Sequence, residues 1–319
     1  MMWLSDQVVD QLRAAIELPD LTGTRYRTVR LIARGGMGAV WLAEDTFLER
    51  EVALKILDLA DSEGVLASRV RQEALILAKL EHPGIVPVHD AGMLADGSLY
   101  YCMKYVQGQT LDQHVENLKS VSEQLRLVQR LAEPLAYAHS RGVLHRDLKP
   151  SNIMIGPFGE VLIMDWGLAK QIGTPNLDND SKIASVPLTA RATGVVGTPG
   201  YMSPEQSQGA AADPRSDIFS LGAVMVFILT SGGKLLQSLP RPLQAICSKA
   251  MATDPAARYQ SVEHLICDVE KFVEQAPVNA YQESVFERLQ RFAARHSTAL
   301  VLVGAYLLMR ILFIIFSRH

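Results

Sequence analysis

The sequence predicts an α+β fold with two lobes, a small lobe rich in β-strands and a large lobe that is mostly helical, followed by a single transmembrane helix. Between residues 26 and 104, short runs of β-branched and aromatic residues alternate with turn residues, as in strands. From 110 to 275 most predicted elements are helices, and an apolar run at 299–316 is long enough to span a bilayer. The predicted segments are an N-terminal helix and linker at 1–25, one domain at 26–275, a juxtamembrane segment at 276–298 and the span.

Composition limits the functional classes. A chain of 319 residues can form one large two-lobed domain or two ordinary domains, with appendages. The net charge of −3 gives no basic excess, so nucleic acid is not an expected partner. The three cysteines, Cys102, Cys247 and Cys267, stand in apolar or helical contexts without metal-ligand spacing, which predicts buried thiols in a reducing compartment.

The N-terminal stretch, residues 1–18, carries apolar residues at helical spacing but also four charged side chains, Asp6, Asp10, Arg13 and Glu17. This pattern predicts a short amphipathic helix and not a signal peptide. The helix could pack on the domain surface or bind a partner.

The small lobe begins with a predicted strand at 26–32, followed by a glycine-rich turn at 33–40. Residues without a Cβ let a backbone approach a polyphosphate closely, although an isolated turn of this kind could equally be an ordinary hairpin. A strand at 52–55 places Ala53 and Lys55 on one face, and Glu73 follows on a predicted helix.

Residues 145–152, here called the catalytic loop, read His-Arg-Asp-Leu-Lys-Pro-Ser-Asn. Asp147 can accept a hydroxyl proton, Lys149 can neutralise a phosphoryl oxygen, and Asn152 offers a carbonyl oxygen to a hard cation. The buried strand predicted at 161–164 leads directly to Asp165, a second oxygen ligand.

These motifs, in this order, resemble the bacterial eukaryotic-like (Hanks-type) Ser/Thr protein kinases that carry a transmembrane segment, over about residues 26–275. The family's H-R-D-x-x-x-x-N pattern is matched without substitution. Ala33 stands where the family has the first glycine of its phosphate loop, and Trp166 replaces the phenylalanine of the D-F-G triplet. The resemblance implies ATP and Mg²⁺ as cofactors, with Mn²⁺ as a substitute.

The resemblance also implies residue roles. The catalytic residues would be Asp147, Lys149, Lys55, Glu73, Asn152 and Asp165, and the metal ligands Asn152 and Asp165. The ATP-binding residues would be Ala33, Gly35, Gly36, Gly38, Val40, Ala53, Lys55, Met103 and Tyr105, with the interlobe hinge at 103–108. Lys104 stands in the hinge where the family often has an acidic residue.

Residues 168–196 are polar and lack regular periodicity, as an activation segment does. A phosphorylated Thr189 or Thr193 could supply an anion for Arg146, which makes these threonines candidate regulatory sites, although the segment could also be an unregulated loop. Residues 197–205, here called the docking segment, resemble the part of the family that contacts the substrate peptide. Its Thr198 would bond Asp147 and Lys149, and such a hydroxyl is typical of Ser/Thr kinases.

Three further residues are implied to be structural. Glu205 would form a buried pair with Arg258, and Asp217, at the start of a helix predicted at 218–230, would support the backbone of the catalytic loop. Ser203 occupies the family's usual alanine position.

The other helices of the large lobe are predicted at 110–118, 121–140, 243–252 and 262–272, with Pro134 inside the second of them. The connection at 231–242 has two glycines and two prolines and is too short for the additional helix that the family ordinarily has there. Because that helix helps dock substrates, we expect free protein substrates to be recognised weakly and a second copy of the chain to be phosphorylated in trans.

Residues 283–296 carry apolar residues on one helical face and arginines on another, which predicts a basic amphipathic helix. Such a helix suits an anionic membrane surface or an ordinary protein surface. The following run at 299–316 contains twelve Leu, Ile, Val and Phe residues and one charge, Arg310. Its basic flank predicts a single-pass protein of the inner membrane, with the domain on the cytoplasmic side.

The expected function is that of an ATP-dependent Ser/Thr protein kinase with three partners: proteins with accessible hydroxyls, another copy of itself and the lipid bilayer. The alternative is a membrane-anchored pseudokinase that acts as a nucleotide-binding scaffold. Ala33 and the missing docking helix motivate this alternative.

Overall fold

The computed structural model describes residues 18–35, 38–57, 79–166, 170–171, 200–233, 235–284, 287–288, 301–302, 304–306 and 309–310. Several sequence predictions lie outside these residues. They concern the N-terminal helix, most of the membrane span and five individual positions, namely Gly36, Glu73, Thr189, Thr193 and Thr198.

The small lobe is a five-stranded antiparallel sheet, which confirms the β-rich lobe predicted from the sequence. The strands are β1 (Tyr26–Gly35), β2 (Gly38–Asp45), β3 (Arg50–Leu57), β4 (Val88–Met93) and β5 (Leu99–Lys104), in the order β1-β2-β3-β5-β4. One face buries Trp41, Val52, Leu54 and Cys102 in a separate apolar core. Because side chains alternate along a strand, Ala53 and Lys55 of β3 point to the opposite face.

In the described part of the chain, five short strands lie before and after the catalytic loop. β6 (Gln109–Thr110), β8 (Ile153–Ile155) and β9 (Val161–Ile163) form a three-stranded sheet, and β7 (Val143–Leu144) pairs with β10 (Lys170–Gln171). The helix predicted at 110–118 is shorter in the structure. α1 covers Leu111–His114, with a capping box between Thr110 and Gln113, and tightens into a 3₁₀ turn at Val115–Asn117.

The long helix α2 (Val121–Ser140) has the bounds that the sequence predicted, because the hydroxyl of Ser120 accepts a hydrogen bond from the amide of Glu123 and caps it. Pro134 lies inside this helix and packs against Gly84, which precedes β4 in the chain. A Cβ at Gly84 would lie 2.9 Å from Cγ of Pro134. The glycine and the proline ring therefore fit only as a pair.

Helix α4 (Pro214–Leu229) begins before the predicted start at Ile218. The preceding short helix is α3 (Pro204–Ser207). Asp213 caps α4 by accepting a hydrogen bond from the amide of Arg215 at 2.8 Å, and Pro214 occupies the first turn, where its missing N–H costs nothing. Asp217 thus lies within the first turn of α4 and does not open the helix. The core of the large lobe lies where α2, α4, α5 (Arg241–Ala250) and α6 (Val262–Val273) meet.

The connection between α4 and α5 is as short as predicted. It contains two 3₁₀ turns, Ser231–Gly233 and Leu236–Ser238, and its described residues include no α-helix. Cys102 and Cys247 are buried free thiols, as predicted, whereas Cys267 is only half-buried.

Residues 276–284, here called the C-terminal strap, pack back on the large lobe after α6. The buried carboxylate of Asp268 accepts hydrogen bonds from the amides of Asn279 and Ala280, at 2.7 and 2.9 Å, and from the hydroxyl of Tyr259 at 2.9 Å. Val278 is buried in the large-lobe core. Asp268 therefore fixes the strap through two backbone donors, while Tyr259 holds the carboxylate from the large lobe.

Within the described part of the chain, no helix has the length and apolar character needed to cross a membrane. The apolar run at 299–316 lies mostly outside that part.

Candidate active site

Asp217 organises the backbone of the catalytic loop from beneath. Its buried carboxylate accepts hydrogen bonds of 2.8 Å from the amide of His145, the amide of Arg146 and Nε2 of His139. Burial alone would raise the pKa of Asp217, but the hydrogen bond and charge of His139, together with the hydrogen bond from the amide of Arg146, hold it below its usual range. The loop backbone is thus anchored on an ionised carboxylate.

His145 is fully buried and neutral, and its ring bonds define the tautomer. Nδ1 accepts the amide N–H of Asp147 at 3.2 Å, so Nε2 carries the proton and donates to the carbonyl of Met164 at 3.0 Å. Burial lowers the pKa of His145, against the opposing influence of Asp217 and other nearby carboxylates. Arg146, which lies between His145 and Asp147 in the chain, adopts the left-handed region at φ 68°. This conformation is uncommon for a residue with a Cβ.

Asp147, Lys149 and Asn152 form one hydrogen-bonded cluster. Oδ2 of Asp147 accepts from Nζ of Lys149 at 2.8 Å and from Nδ2 of Asn152 at 3.2 Å. The same amide nitrogen of Asn152 donates to the backbone carbonyl of Asp147 at 2.8 Å. The carboxylate is therefore held by two donors, one of which is the Lys149 ammonium.

Asp165 lies next to this cluster. The amide of Met164 donates to the carbonyl of Asn152 at 2.8 Å, which ties the end of β9 to the catalytic loop. Asp165 itself adopts φ 57° and accepts a hydrogen bond from Nζ of Lys55 in a close ion pair. Non-glycine residues with positive φ are concentrated at functional sites, and two of them, Arg146 and Asp165, flank this cluster.

Lys55 is buried, and its surroundings favour the charged form. Burial lowers the pKa of the ammonium, but the charge interactions with Tyr101 and Asp165 outweigh burial, so the net shift of the Lys55 pKa is upward. The ammonium lies 5.7 Å from the ring centroid of Tyr101, its neighbour in the register of β3 and β5. Glu73, the partner predicted from the sequence, lies outside the described residues.

Trp166 fills a buried position behind Asp165. Its Nε1 donates to the carbonyl of Ile163 at 3.2 Å, which satisfies the polar atom of the indole. The ring meets His145 edge-on, with centroids 4.6 Å apart. The exchange of phenylalanine for tryptophan therefore keeps the aromatic position buried and adds a hydrogen bond.

Those predicted nucleotide-binding residues that the structure describes on strands occupy neighbouring register positions in the small-lobe sheet. Ala33 pairs with Val40 across β1 and β2, and Ala53, which is buried, pairs with Met103 across β3 and β5. The hydroxyl of Tyr105 accepts a hydrogen bond of 3.2 Å from Arg30 at the hinge.

Gly35 and Gly38 of the glycine-rich turn lie in different surroundings. Gly38 has φ 133°, and a Cβ there would lie 2.0 Å from the carbonyl oxygen of Ile56, so strand packing requires glycine independently of any phosphate. A Cβ at Gly35 would meet open space. Packing against β3 therefore accounts for the glycine at position 38. At position 35 no packing contact with the described residues requires glycine, and the close approach of a ligand is the remaining reason for it.

The donor set suits a hard divalent cation. Asn152 uses its amide nitrogen on Asp147, so its Oδ1 is the atom left for a cation, and Asp165 contributes a carboxylate. Among the described residues, no group of three or more His, Cys, Asp or Glu side chains could hold a metal ion. Two oxygen ligands with the rest supplied by phosphates and water is the way in which proteins usually hold Mg²⁺.

The end of the docking segment is anchored by an ion pair. Arg258 donates to Oε1 and Oε2 of Glu205 at 2.7 and 2.8 Å, and the hydroxyl of Ser216 donates to Oε1 at 2.7 Å. The structure thus contains the pair between Glu205 and Arg258 that was expected from the sequence.

Sequence reasoning missed His139 and Tyr101. His139 is in the last turn of α2, and its role depends on the approach of α4. Tyr101 lies opposite Lys55 through the register of β3 and β5, which the sequence does not specify.

Comparisons with known proteins agree with this geometry. The family described as "Protein kinase domain" matches residues 26–273. The serine/threonine-protein kinase PknD of Chlamydia abortus is 36% identical, over 79% of this chain and 31% of that protein, and PknD of Chlamydia muridarum is 38% identical, over 76% and 31%. The chain thus spans about a third of the length of these curated relatives. The crystal structure of the Mycobacterium tuberculosis PknI kinase domain superposes with a TM-score of 0.59 at 29% identity, over 79% of this chain and 97% of that one.

Proposed function

Because this chain belongs to the protein kinase family, we propose that it is a Ser/Thr protein kinase that transfers the γ-phosphoryl group of ATP to protein hydroxyls. One observation carries the proposal. Asp147, Lys149 and Asn152 form a single hydrogen-bonded cluster that a backbone bond joins to the strand end bearing Asp165, and Asp165 pairs with Lys55. Phosphoryl transfer needs these groups at one point.

Each residue of the cluster has a role in the reaction. Asp147 accepts the proton of the attacking hydroxyl, since its carboxylate is oriented by Lys149 and Asn152. Lys149 neutralises charge on the transferred group, and Lys55 binds the nucleotide phosphates with an ammonium that stays protonated. Asn152 and Asp165 would hold Mg²⁺, which neutralises the charge of the phosphates when it is bound. Positioning and charge neutralisation provide the catalysis.

The decisive experiment is transfer of radiolabelled phosphate from ATP to a generic basic protein and to the enzyme itself. Asp147→Asn keeps the shape of the side chain and removes the base, so the rate should fall by about 10²–10⁴-fold. The matched control is Asp96→Asn, which makes the same change in the exposed turn between β4 and β5 and should keep the wild-type rate.

The pseudokinase alternative predicts a different result in the same assay. It expects nucleotide binding without label above the Asp147→Asn background. The assembled polar cluster does not favour this alternative, because every described member contacts another member.

Regulation by phosphorylation is part of the proposal. Its support is the position of Arg146 in the catalytic loop and the presence of Thr189 and Thr193 in the activation segment, which follows that loop in the chain. Autophosphorylation at either threonine should raise activity. Mapping of phosphopeptides from active enzyme checks this, and an active enzyme with both threonines unmodified would contradict it.

Membrane attachment through residues 299–316 is also proposed, with the kinase domain on the cytoplasmic face of the inner membrane. The support is compositional: twelve Leu, Ile, Val and Phe residues contribute about −4 to −7 kcal/mol on the insertion scale, against about +2.5 to +3.5 kcal/mol for one arginine. Full-length protein in cells should resist extraction by alkaline carbonate, whereas a version that ends at His296 should not. Equal extraction of both would refute the anchor.

Substrate recognition should depend on proximity. The short connection between α4 and α5 leaves the docking segment and the catalytic loop as the main contacts for a peptide, so little remote binding energy is available. Two membrane-tethered copies would raise each other's effective concentration and phosphorylate in trans. Enzyme on liposomes should therefore autophosphorylate faster than soluble enzyme at the same bulk concentration, and equal rates would contradict this expectation.

A further inference from the structure

Gln206 connects the end of the docking segment to the catalytic loop. It lies in α3 and is buried, and its Nε2 donates to the carbonyl oxygen of Arg146 at 3.0 Å. Its Oε1 accepts from the amide and the hydroxyl of Ser203, at 3.3 and 2.9 Å. The side chain therefore uses both ends of its amide.

These contacts determine the orientation of the amide. The N–H of Ser203 requires an acceptor, and the carbonyl of Arg146 requires a donor, so a flipped amide would place like groups together at both ends. Ser203 and Gln206 also satisfy the pattern of a capping box, in which the side chain of the third helical residue accepts from the cap backbone. A cap uses only Oε1, so capping does not explain the bond from Nε2 to Arg146.

The carbonyl of Arg146 and the amide of Asp147 belong to the same peptide unit. Gln206 holds the carbonyl end of this unit, and Nδ1 of His145 holds the N–H end. The unit follows a residue at φ 68° and directly precedes the Cα of Asp147. Its rotation would swing the Asp147 side chain away from the cluster with Lys149.

We propose that Gln206 is a positioning residue that fixes the peptide unit between Arg146 and Asp147 and so aims the carboxylate of Asp147. Through Gln206, the short helix that ends the docking segment sets the orientation of the base. That helix is itself fixed on the large lobe by Glu205 and Arg258. The inference rests on the proposed kinase activity, in which Asp147 is the base.

The variant that tests the proposal is Gln206→Glu. Glutamate is the other residue used at this position of a capping box, so the contact with Ser203 is retained. Toward Arg146 the variant replaces a donor with a charged acceptor, which repels the carbonyl. The matched control is Gln208→Glu, which introduces the same charge two positions away, at the exposed C-cap of α3.

We expect kcat to fall by about tenfold to a hundredfold in Gln206→Glu, as for the loss of one buried hydrogen bond in a transition state. The KM for ATP and the melting temperature should stay close to those of Gln208→Glu, because neither the nucleotide residues nor the cap is altered. A kcat within twofold of the control would overturn the proposal. A loss of kcat that follows a matching loss of folded protein would also overturn it.

The pH profile adds a signature that a purely structural role lacks. Burial raises the pKa of a carboxyl group, and the protonated carboxyl can donate to the carbonyl of Arg146. The ratio of Gln206→Glu to wild-type kcat should therefore rise as the pH is lowered from 8 to 6. A ratio that does not change with pH contradicts the assigned contact.

Hydrogen–deuterium exchange separates this proposal from the proposed function. Absence of phosphate transfer by the wild-type enzyme would refute the kinase activity and not the contact. In either case, the segment containing the Asp147 amide should exchange faster in Gln206→Glu than in Gln208→Glu. Unchanged exchange would show that Gln206 does not hold this peptide unit.

Discussion

The guanidinium of Arg258 contacts both carboxylate oxygens of Glu205, at 2.7 and 2.8 Å, and its side chain is fully buried. Burial alone would raise the pKa of Glu205, but the hydrogen bonds from Arg258 and Ser216 lower it to about 2. A carboxyl whose pKa falls on folding stabilises the fold above its ordinary pKa of 4.5. This contribution is lost as the pH falls from there toward 2.

The first prediction concerns the loss of this pair. Arg258→Met should lower the free energy of unfolding by about 3–5 kcal/mol, because it leaves the Glu205 carboxylate without its main donor. Urea unfolding at pH 7 measures the change. The control is Arg215→Met, which breaks a half-exposed pair with Asp213 and should cost at most about 1 kcal/mol. Equal losses in the two variants would contradict the prediction.

The second prediction is an acid sensitivity that originates at His145. Its pKa in the folded state lies below the ordinary value of 6.5, so the unfolded chain takes up the proton more readily. The stabilising contribution is complete above about pH 6.5 and declines as the pH falls below it. Protonation would also place an N–H against the amide of Asp147.

Unfolding measured from pH 8 to pH 5 tests this sensitivity. His145→Asn offers an oxygen to the Asp147 amide and does not titrate, so its stability should depend less on pH than that of wild type. His264→Asn changes an exposed histidine and should retain the wild-type slope. A wild-type slope in the His145 variant would rule out this source of the acid sensitivity.

The third prediction concerns Trp166. Trp166→Phe removes the bond to Ile163 and leaves a gap beside His145, which should cost about 1–2 kcal/mol of stability and lower kcat several-fold. Trp41→Phe makes the same change in the small-lobe core and should cost similar stability with little change in kcat. Thermal unfolding and steady-state kinetics separate the two effects. A similar change of kcat in both variants would indicate general loss of packing.

The fourth prediction concerns the C-terminal strap. Asp268→Ala leaves the amides of Asn279 and Ala280 without their acceptor, so unfolding should become easier by about 2–4 kcal/mol. Limited proteolysis should cleave the strap in this variant before the rest of the domain. Glu270→Ala, an exposed change on the same helix, should behave like wild type. Protection of the strap in the Asp268 variant would show that other contacts hold it.

Local signals predicted some elements fully and others incompletely. The bounds of α2 could be predicted because Ser120 caps a long periodic helix. The start of α4 was missed because the three residues after Pro214, which complete its first turn, are all polar and carry no helical apolar pattern.

Contacts that depend on tertiary geometry were the least predictable. The position of Tyr101 beside Lys55 follows from strand register, and the bond between Gln206 and Arg146 joins segments that are adjacent only in the fold. The proximity of Asp147, Lys149 and Asn152 was predictable because the three residues belong to one short loop. The contacts that support the loop from His139 and Gln206 were not predictable, because a histidine or a glutamine in the sequence does not indicate which distant residue it will bond.

The contact between Gly84 and Pro134 limits how this sequence can change over generations. Any side chain at position 84 collides with the proline ring, so a single exchange there is penalised while the proline remains. Replacing the proline with alanine removes the 2.9 Å contact with Cγ, leaves the 3.0 Å contact with Cβ and restores an amide donor to α2. The two positions should therefore covary, and Gly84→Ala combined with Pro134→Ala should destabilise the protein less than the sum of the single changes.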